Sequence, residues 1–193
     1  MDNVVLDISM SLDGFVTALN VSPDEPLGDD GQQLHEWTTD SDRSRELIAR
    51  MVEGPGAYIA GRRTYDTSLP WWGADGPTGP ARVPLFVLSH SEPEDVPAGG
   101  VYQFVTDGIE SALRQAQEVA GDRYVHVMGG ADIAQQFIKA GLVDEIAIHL
   151  VPVLFGSGTR LFDHLGEAHI QLETAEVIET PTAVHLRFRV RKA

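Results

Sequence analysis

The stretch VHVMGGADIAQQFI, residues 125–138, decides the fold. Val125 and Val127 alternate with His126 and Met128, a β-type run. Ile133, Phe137 and Ile138 follow at helical spacing. Between the two patterns sit Gly129 and Gly130. Glycine costs backbone entropy on folding, so an adjacent pair at a strand-to-helix junction calls for a reason. A helix start leaves N–H groups pointing outward, and the helix dipole adds a partial positive charge there. A backbone without Cβ atoms lets an anion come close. The pair therefore reads either as a tight turn or as a cradle for a pyrophosphate. The spacing is not G-x-G-x-x-G, so the rest of the chain has to decide. Asp132 reads as a helix-start cap; as a free carboxylate it would repel a phosphate beside it.

The same strand-to-helix alternation extends outward from this stretch. Residues 3–9 (NVVLDIS) read as a buried strand and residues 20–36 as a loop. A helix starts near Ser41 or Asp42, carries Leu47, Ile48, Met51 and Val52 on one face, and stops at EGPG, 53–56. AYIAG (57–61), LFVLS (85–89), GVYQFV (100–105), RYVHVM (123–128) and VDEIAIHLVPV (143–153) read as strands. Residues 67–84, rich in proline and glycine, read as a long loop. Ile109, Ala112, Leu113, Ala116 and Val119 mark a helix over 108–120. Two β runs, 170–179 and 183–191, close the sequence around TPT. In the second, Val184, Leu186, Phe188 and Val190 alternate with His185, Arg187, Arg189 and Arg191, one face buried and one wet. Outward arginines suit an anion site, but their commoner use is to keep an edge strand from pairing. Alternating strands and helices predict an α/β fold: a central, mostly parallel sheet flanked by helices, with a C-terminal antiparallel hairpin. The whole chain, residues 1–193, reads as one domain.

Composition narrows the partners. Hydrophobic content of 42% and charged content of 22% are ordinary for a globular chain. The net charge of −15 repels nucleic acid and anionic membrane. It does not exclude an anionic ligand held by a local cluster of cations. Cysteine is absent, so there are no disulfides or thiolate metal sites, which fits a reducing, cytoplasmic setting. No signal peptide or membrane span is expected from MDNVVLDISM. The seven histidines are too scattered in sequence to form a metal motif.

Three further segments carry chemistry. AGRRTYD, 60–66, sets Arg62, Arg63 and Thr64 directly after a strand, where two guanidiniums and a hydroxyl suit a phosphate monoester. A solvated arginine pair is the plain alternative. LSHS, 88–91, follows another strand and suits an adenine or a phosphate, or simply a turn. Ligands of open α/β sheets gather beyond the carboxyl ends of the strands, where both segments fall. SMSLDGFVTA, 9–18, runs from a strand through an Asp-Gly turn. His149, inside a buried strand, reads as a hydrogen-bonded core histidine. Trp71 and Trp72 read as a lid or an interface contact.

Taken in order, SLDGFVT, GRRTYD, LSHS, VMGGADIAQQFI and HLVPVLFGSGTRLF resemble the dihydrofolate reductase-like superfamily, and within it the RibD C-terminal, riboflavin-biosynthesis reductase branch, here without a fused domain. The resemblance spans nearly the whole chain. It implies the dihydrofolate reductase-like fold and an NADPH-dependent reductase acting on a small-molecule substrate, a pterin or an aminopyrimidine of the riboflavin pathway. It also implies a homodimer. Gly61, Arg62, Arg63 and Thr64 match the segment that grips the adenosine 2′-phosphate and pyrophosphate. Leu88, Ser89 and His90 match the adenosine-side segment. Gly129, Gly130, Ala131, Asp132 and Ile133 match the glycine-pair turn under the pyrophosphate. Ser9, Val16 and Thr17 match positions beside the nicotinamide, and Trp37 resembles a tryptophan near the cofactor. No metal is implied.

Folate reductases use a buried carboxylate at the helix after the first loop. That region offers Asp40, Asp42 and Glu46, of which Asp42 is the catalytic candidate. Met128 replaces a substrate-binding glutamate of riboflavin reductases, and Ala134 replaces an aromatic of folate reductases. The acceptor thus stays open among pterins, pyrimidine intermediates and other small heterocycles or carbonyl compounds. The alternative is an NADP(H)-binding protein without turnover, a sensor.

Overall fold

The computed structural model describes residues 3–192. The chain runs β1 (Val4–Ser11), β2 (Phe15–Thr17), a 3₁₀ segment Gly31–Thr39, α1 (Asp42–Glu53), β3 (Pro55–Gly61) and α2 (Arg62–Trp72). A second 3₁₀ segment, Gly73–Ala81, leads to β4 (Leu85–Leu88), β5 (Tyr102–Val105), α3 (Ile109–Ala120), β6 (Tyr124–Gly129) and α4 (Ala131–Lys139). β7 (Glu145–Val151), β8 (Thr159–Arg160), β9 (Leu172–Glu179) and β10 (Val184–Val190) complete it. Eight strands form one sheet in the order β5-β4-β3-β6-β1-β7-β10-β9, and β2 pairs with β8 apart from it. Every pairing from β5 to β7 is parallel; β10 is antiparallel to both β7 and β9. The fold is the expected α/β arrangement with its C-terminal hairpin.

Alternation along β1 divides the sheet's two faces. Val4, Leu6, Ile8 and Met10 join the cluster formed with α3 and α4, among them Ala112, Ala116, Ile133 and Phe137. The opposite face presents Asp7 and Ser9, with Trp37 lying over Ser9. Trp37 packs with Leu34, Leu47 and Val151 in a separate cluster that fastens the first 3₁₀ segment and α1 to the sheet. Ser41 caps α1 by accepting from the Ser44 amide at 3.1 Å. Burial of such apolar faces supplies most of the helical stability here, since isolated helices of this length are marginal in water. Helix α3 lies against β3 so closely that a Cβ on Gly56 would fall 2.5 Å from Ala120 Cα.

The first 3₁₀ segment begins inside the expected 20–36 loop, and two further local expectations differ from the structure. Residues 67–84 are largely helical rather than a loop, because α2 continues to Trp72 and the segment after it is 3₁₀. Pro70 lies in the last turn of α2, where its missing N–H forfeits a single intrahelical bond. Pro77 and Pro80 fit short 3₁₀ turns, with Gly76 and Gly79 taking positive φ between them. The second difference is at the hairpin. β10 is interior and β9 forms the edge. The arginines of β10 pair instead with acids: Arg187 Nε lies 2.5 Å from Glu145 Oε2, and Arg189 reaches the same carboxylate at 3.9 Å. His185 is buried, because the first 3₁₀ segment covers the face it shares with Trp37. Among the described residues no helix is long and apolar enough to cross a membrane.

Candidate active site

A cavity of about 1320 Å³ runs along the carboxyl ends of β4, β3 and β6 and across the Asp7 face of β1 toward α1. β3 and β6 are parallel neighbours, so the helices that follow them, α2 and α4, begin side by side at one end of this cavity. Both starts are capped by glycines, Gly61 and Gly130, in extended backbone. A Cβ on Gly61 would meet Ile133 Cγ1 at 2.9 Å, and one on Gly130 would meet Thr64 Oγ1 at 3.3 Å. The two turns therefore abut, and side chains there would fill the space above the exposed amides. Gly129, at φ +121°, is joined to Gly130 by a cis peptide. The N-cap is Gly130 rather than Asp132, whose Oδ2 accepts from Gln136 Nε2 at 2.7 Å.

Arg62 spans from β3 to β4. Its Nε donates to Asp66 Oδ1 at 2.7 Å, and its Nη1 donates to Ser89 Oγ at 3.3 Å and to the Ser91 carbonyl at 3.1 Å. Arg63 makes no ion pair among the described residues. Leu88, Ser89 and His90 line the same end, as do Gly61, Thr64, Ala131, Asp132 and Ile133. Ser9, Val16, Thr17 and Trp37 line the cavity further along. Gly129 is the one nucleotide-site candidate that does not reach the wall.

The far part of the cavity is apolar. Ile48, Met51 and Val52 of α1 face it together with Trp37, Trp71 and Trp72. Trp71 is exposed, and its indole Nε1 donates to the Pro23 carbonyl at 3.1 Å, tying α2 to the loop that carries Asp24 and Glu25.

Asp42 does not belong to this assembly. It lies outside the cavity on the solvent side of α1, with its carboxylate paired to Arg45. Its place in the first helical turn is what an acid favoured by the helix dipole adopts. Asp40 is also structural. Its Oδ1 accepts from Ser44 Oγ at 2.5 Å, and its Oδ2 accepts from the amide and hydroxyl of Thr182.

The carboxylate in the cavity floor is Asp7, buried in the middle of β1. A lone acid within the apolar run VVLDIS was the available signal, since an unpaired buried charge is strongly disfavoured. Asp7 Oδ1 lies 2.8 Å from His149 Nε2, His149 Nδ1 lies 2.6 Å from His185 Nδ1, and His185 Nε2 lies 2.9 Å from Thr180 Oγ1. These contacts form one chain from Asp7 to Thr180, whose hydroxyl also donates to the Ala183 carbonyl at 3.2 Å. Burial pushes the Asp7 carboxyl up, but the charge and hydrogen bond of His149 outweigh it and hold it below the usual carboxylate range. Burial, with His149 adding to it, pushes the His185 imidazole down to about 4. On the other side, His126 Nε2 donates to the Asp7 carbonyl at 3.2 Å and its ring stacks on Tyr58. Trp37 lies across the pair, with ring centroids 4.2 Å from His149 and 4.7 Å from His185. No group of three or more His, Asp or Glu side chains among the described residues could hold a metal ion.

Asp13 joins two of the sequence motifs. It accepts from Ser11 Oγ at 2.7 Å, from the Phe155 amide at 3.1 Å and from the Gly156 amide at 2.7 Å, fastening the turn after β1 to the loop before β8.

The chain resembles several known proteins. It is 28% identical over 172 residues to the riboflavin biosynthesis protein RibD of Corynebacterium ammoniagenes, covering 84% of this chain but only 46% of that one. The solved structure of the riboflavin biosynthesis reductase Rib7 of Saccharomyces cerevisiae superimposes with a TM-score of 0.62 at 17% identity, over 98% of this chain and 90% of Rib7. Dihydrofolate reductase from Enterococcus faecalis, solved with NADP(H), superimposes with a TM-score of 0.59 at 13% identity, over 98% and 97% of the two chains. The fold is thus dihydrofolate reductase-like. A family model described as the RibD C-terminal domain matches residues 2–186, and the chain belongs to that family.

Proposed function

We propose that the chain is an NADPH-dependent reductase that passes a hydride to a small heterocyclic acceptor. The observation that carries this reading is the convergence of two helix starts, α2 and α4, with Arg62 and Arg63 at one end of a single long cavity whose other end is apolar and aromatic. Glycines at 61 and 130 keep the amides of both helix starts accessible, which fits a diphosphate. Arg62, Arg63 and Thr64 hold the 2′-phosphate, and Leu88, Ser89 and His90 take the adenosine. Gly130, Ala131, Asp132 and Ile133 cradle the diphosphate over Gly129. Ser9, Val16, Thr17 and Trp37 flank the nicotinamide, which supplies the hydride. The protein's part is to align the acceptor and keep water out, with Trp37 and α1 forming the dry wall. NADP(H) in the dihydrofolate reductase neighbour and the name of the Rib7 neighbour support the same reading.

Fluorescence titration with NADPH and NADH tests the nucleotide assignment, with tighter binding of NADPH expected. Loss of absorbance near 340 nm with pterins, aminopyrimidines and quinones tests turnover. Binding of NADPH with no oxidation by any acceptor would favour a sensor. Failure to bind either nucleotide would end the proposal.

A further inference from the structure

The cavity wall carries two cationic side chains and several carboxylates. Among the described residues that line it, Arg62 and Arg63 are the only lysines or arginines, and both follow β3 directly at the nucleotide end. Apart from Asp132 beside the arginines, three carboxylates interrupt the otherwise apolar wall. Asp24 and Glu25 stand on the loop at the mouth, fixed by the bond from Trp71 to Pro23, and Asp7 lies in the floor. Once the arginines serve the nucleotide, no fixed cation remains to neutralise a second anion. The chain's net charge of −15 acts in the same direction.

Asp7 supplies the second, independent observation. Its side chain is only 7% exposed, and it faces the cavity. One oxygen, Oδ1, is engaged by His149, and among the described residues no hydrogen bond reaches Oδ2. The bond to His149 and the chain through His185 to Thr180 fix the orientation of the carboxylate. The carboxylate faces the cavity, where a donor on a bound ligand would take up its unused oxygen. The surrounding wall, Trp37, Ile48, Met51 and Met128, accepts a flat ring.

We infer that the acceptor is a nitrogen heterocycle bearing an N–H donor and no phosphate or carboxylate, and that Asp7 is the residue that binds its N–H edge. The inference rests on the nucleotide assignment above and narrows it. A phosphoribosylated pyrimidine and a glutamate-bearing folate both fall outside the class. A free aminopyrimidine, its riboside or an unconjugated pterin falls inside it.

The test is calorimetry on the full chain saturated with NADP⁺, with two ligand pairs. One pair is 5-amino-6-ribosylaminouracil and its 5′-phosphate. The other is 6-methyl-7,8-dihydropterin and 7,8-dihydrofolate. The anion-free member of at least one pair should bind at least tenfold more tightly than its partner, with the order reversed in neither. Asp7→Asn should weaken that ligand at least tenfold while leaving NADP⁺ affinity within twofold. The comparison on the unmodified chain stands whether or not Asp7→Asn folds. Equal or tighter binding of the anionic members, or no binding by any of the four, overturns the inference while the nucleotide reading survives. Failure of NADP⁺ itself to bind removes the nucleotide reading instead.

Discussion

The indole Nε1 of Trp37 donates a hydrogen bond of 3.0 Å to the Ser9 hydroxyl, joining the first 3₁₀ segment to the buried centre of β1. Both residues are buried. Trp37→Phe keeps the ring but removes the donor. Urea unfolding should show a loss of about 1–3 kcal/mol, the usual cost of leaving a buried polar group unpaired. An unchanged midpoint would mean that Ser9 finds another partner.

Gly56 is a packing glycine. A Cβ there would fall 2.6 Å from the Ala120 carbonyl oxygen as well as close to its Cα, and backbone cannot rotate aside as a side chain can. Gly56→Ala should therefore destabilise the chain by about 1–3 kcal/mol, as overpacked cores do. At Gly121, which also follows Ala120, a Cβ meets nothing within 4 Å. Its positive φ makes alanine costly there for a different reason, backbone strain. Thermal melts of Gly56→Ala and Gly56→Ser should fall together. Tolerance of serine would show that α3 can move away from β3.

Asp13 predicts an acid limb. Partial desolvation acts upward on its carboxyl, but hydrogen bonds from the Ser11 hydroxyl and the Gly156 and Phe155 amides outweigh it and bring the pKa from an ordinary 3.8 to about 2. The unfolded chain then takes up its proton first as pH falls. The stabilisation is complete above about pH 4 and is lost as pH drops toward 2. In Asp13→Asn this part of the pH dependence should vanish, along with the anchoring of the 155–156 loop. Unfolding free energies measured from pH 5 to pH 2 would reveal it as a flatter curve for the variant.

Arg62 and Arg63 are adjacent but not equivalent. Arg62 is already tied to Asp66, Ser89 and Ser91, whereas Arg63 has no ion pair among the described residues. Arg63→Ala should leave the melting temperature unchanged, within the ±0.5 kcal/mol common for surface sites. It should nevertheless reduce the preference for NADPH over NADH about tenfold, since a charge-assisted bond to phosphate is worth about 1.5–3 kcal/mol. Arg62→Ala should reduce the same preference and also lower stability. An Arg63→Ala protein with undiminished preference would assign the phosphate to Arg62 alone.

The end of the cavity where α2 and α4 begin was legible because it is built from local sequence. Glycine pairs, Arg-Arg-Thr and Leu-Ser-His each follow a strand directly, and parallel pairing then gathers the strand ends without further information. The buried carboxylate of the cavity was not legible in the same way. Asp42 stands where a helix start prefers an acid whatever the function, and its carboxylate turns to Arg45 and solvent. Asp7 depends on partners 142 and 178 residues away, His149 and His185, that only the sheet order brings beside it. The helical character of 67–84 was hidden because proline and glycine mark the breaks between short turns as readily as they mark open loops. The interior position of β10 was hidden for a comparable reason. Outward arginines look alike whether they meet water or, as at Glu145, a neighbouring strand's acid.

The division of β1 into two faces also bears on how such a chain diversifies. Exchanges at residues 7 and 9 alter the lining of the chamber, while residues 4, 6 and 10 go on packing against the helices behind the sheet. A substitution on one face of the strand thus leaves the hydrophobic interior on the other undisturbed.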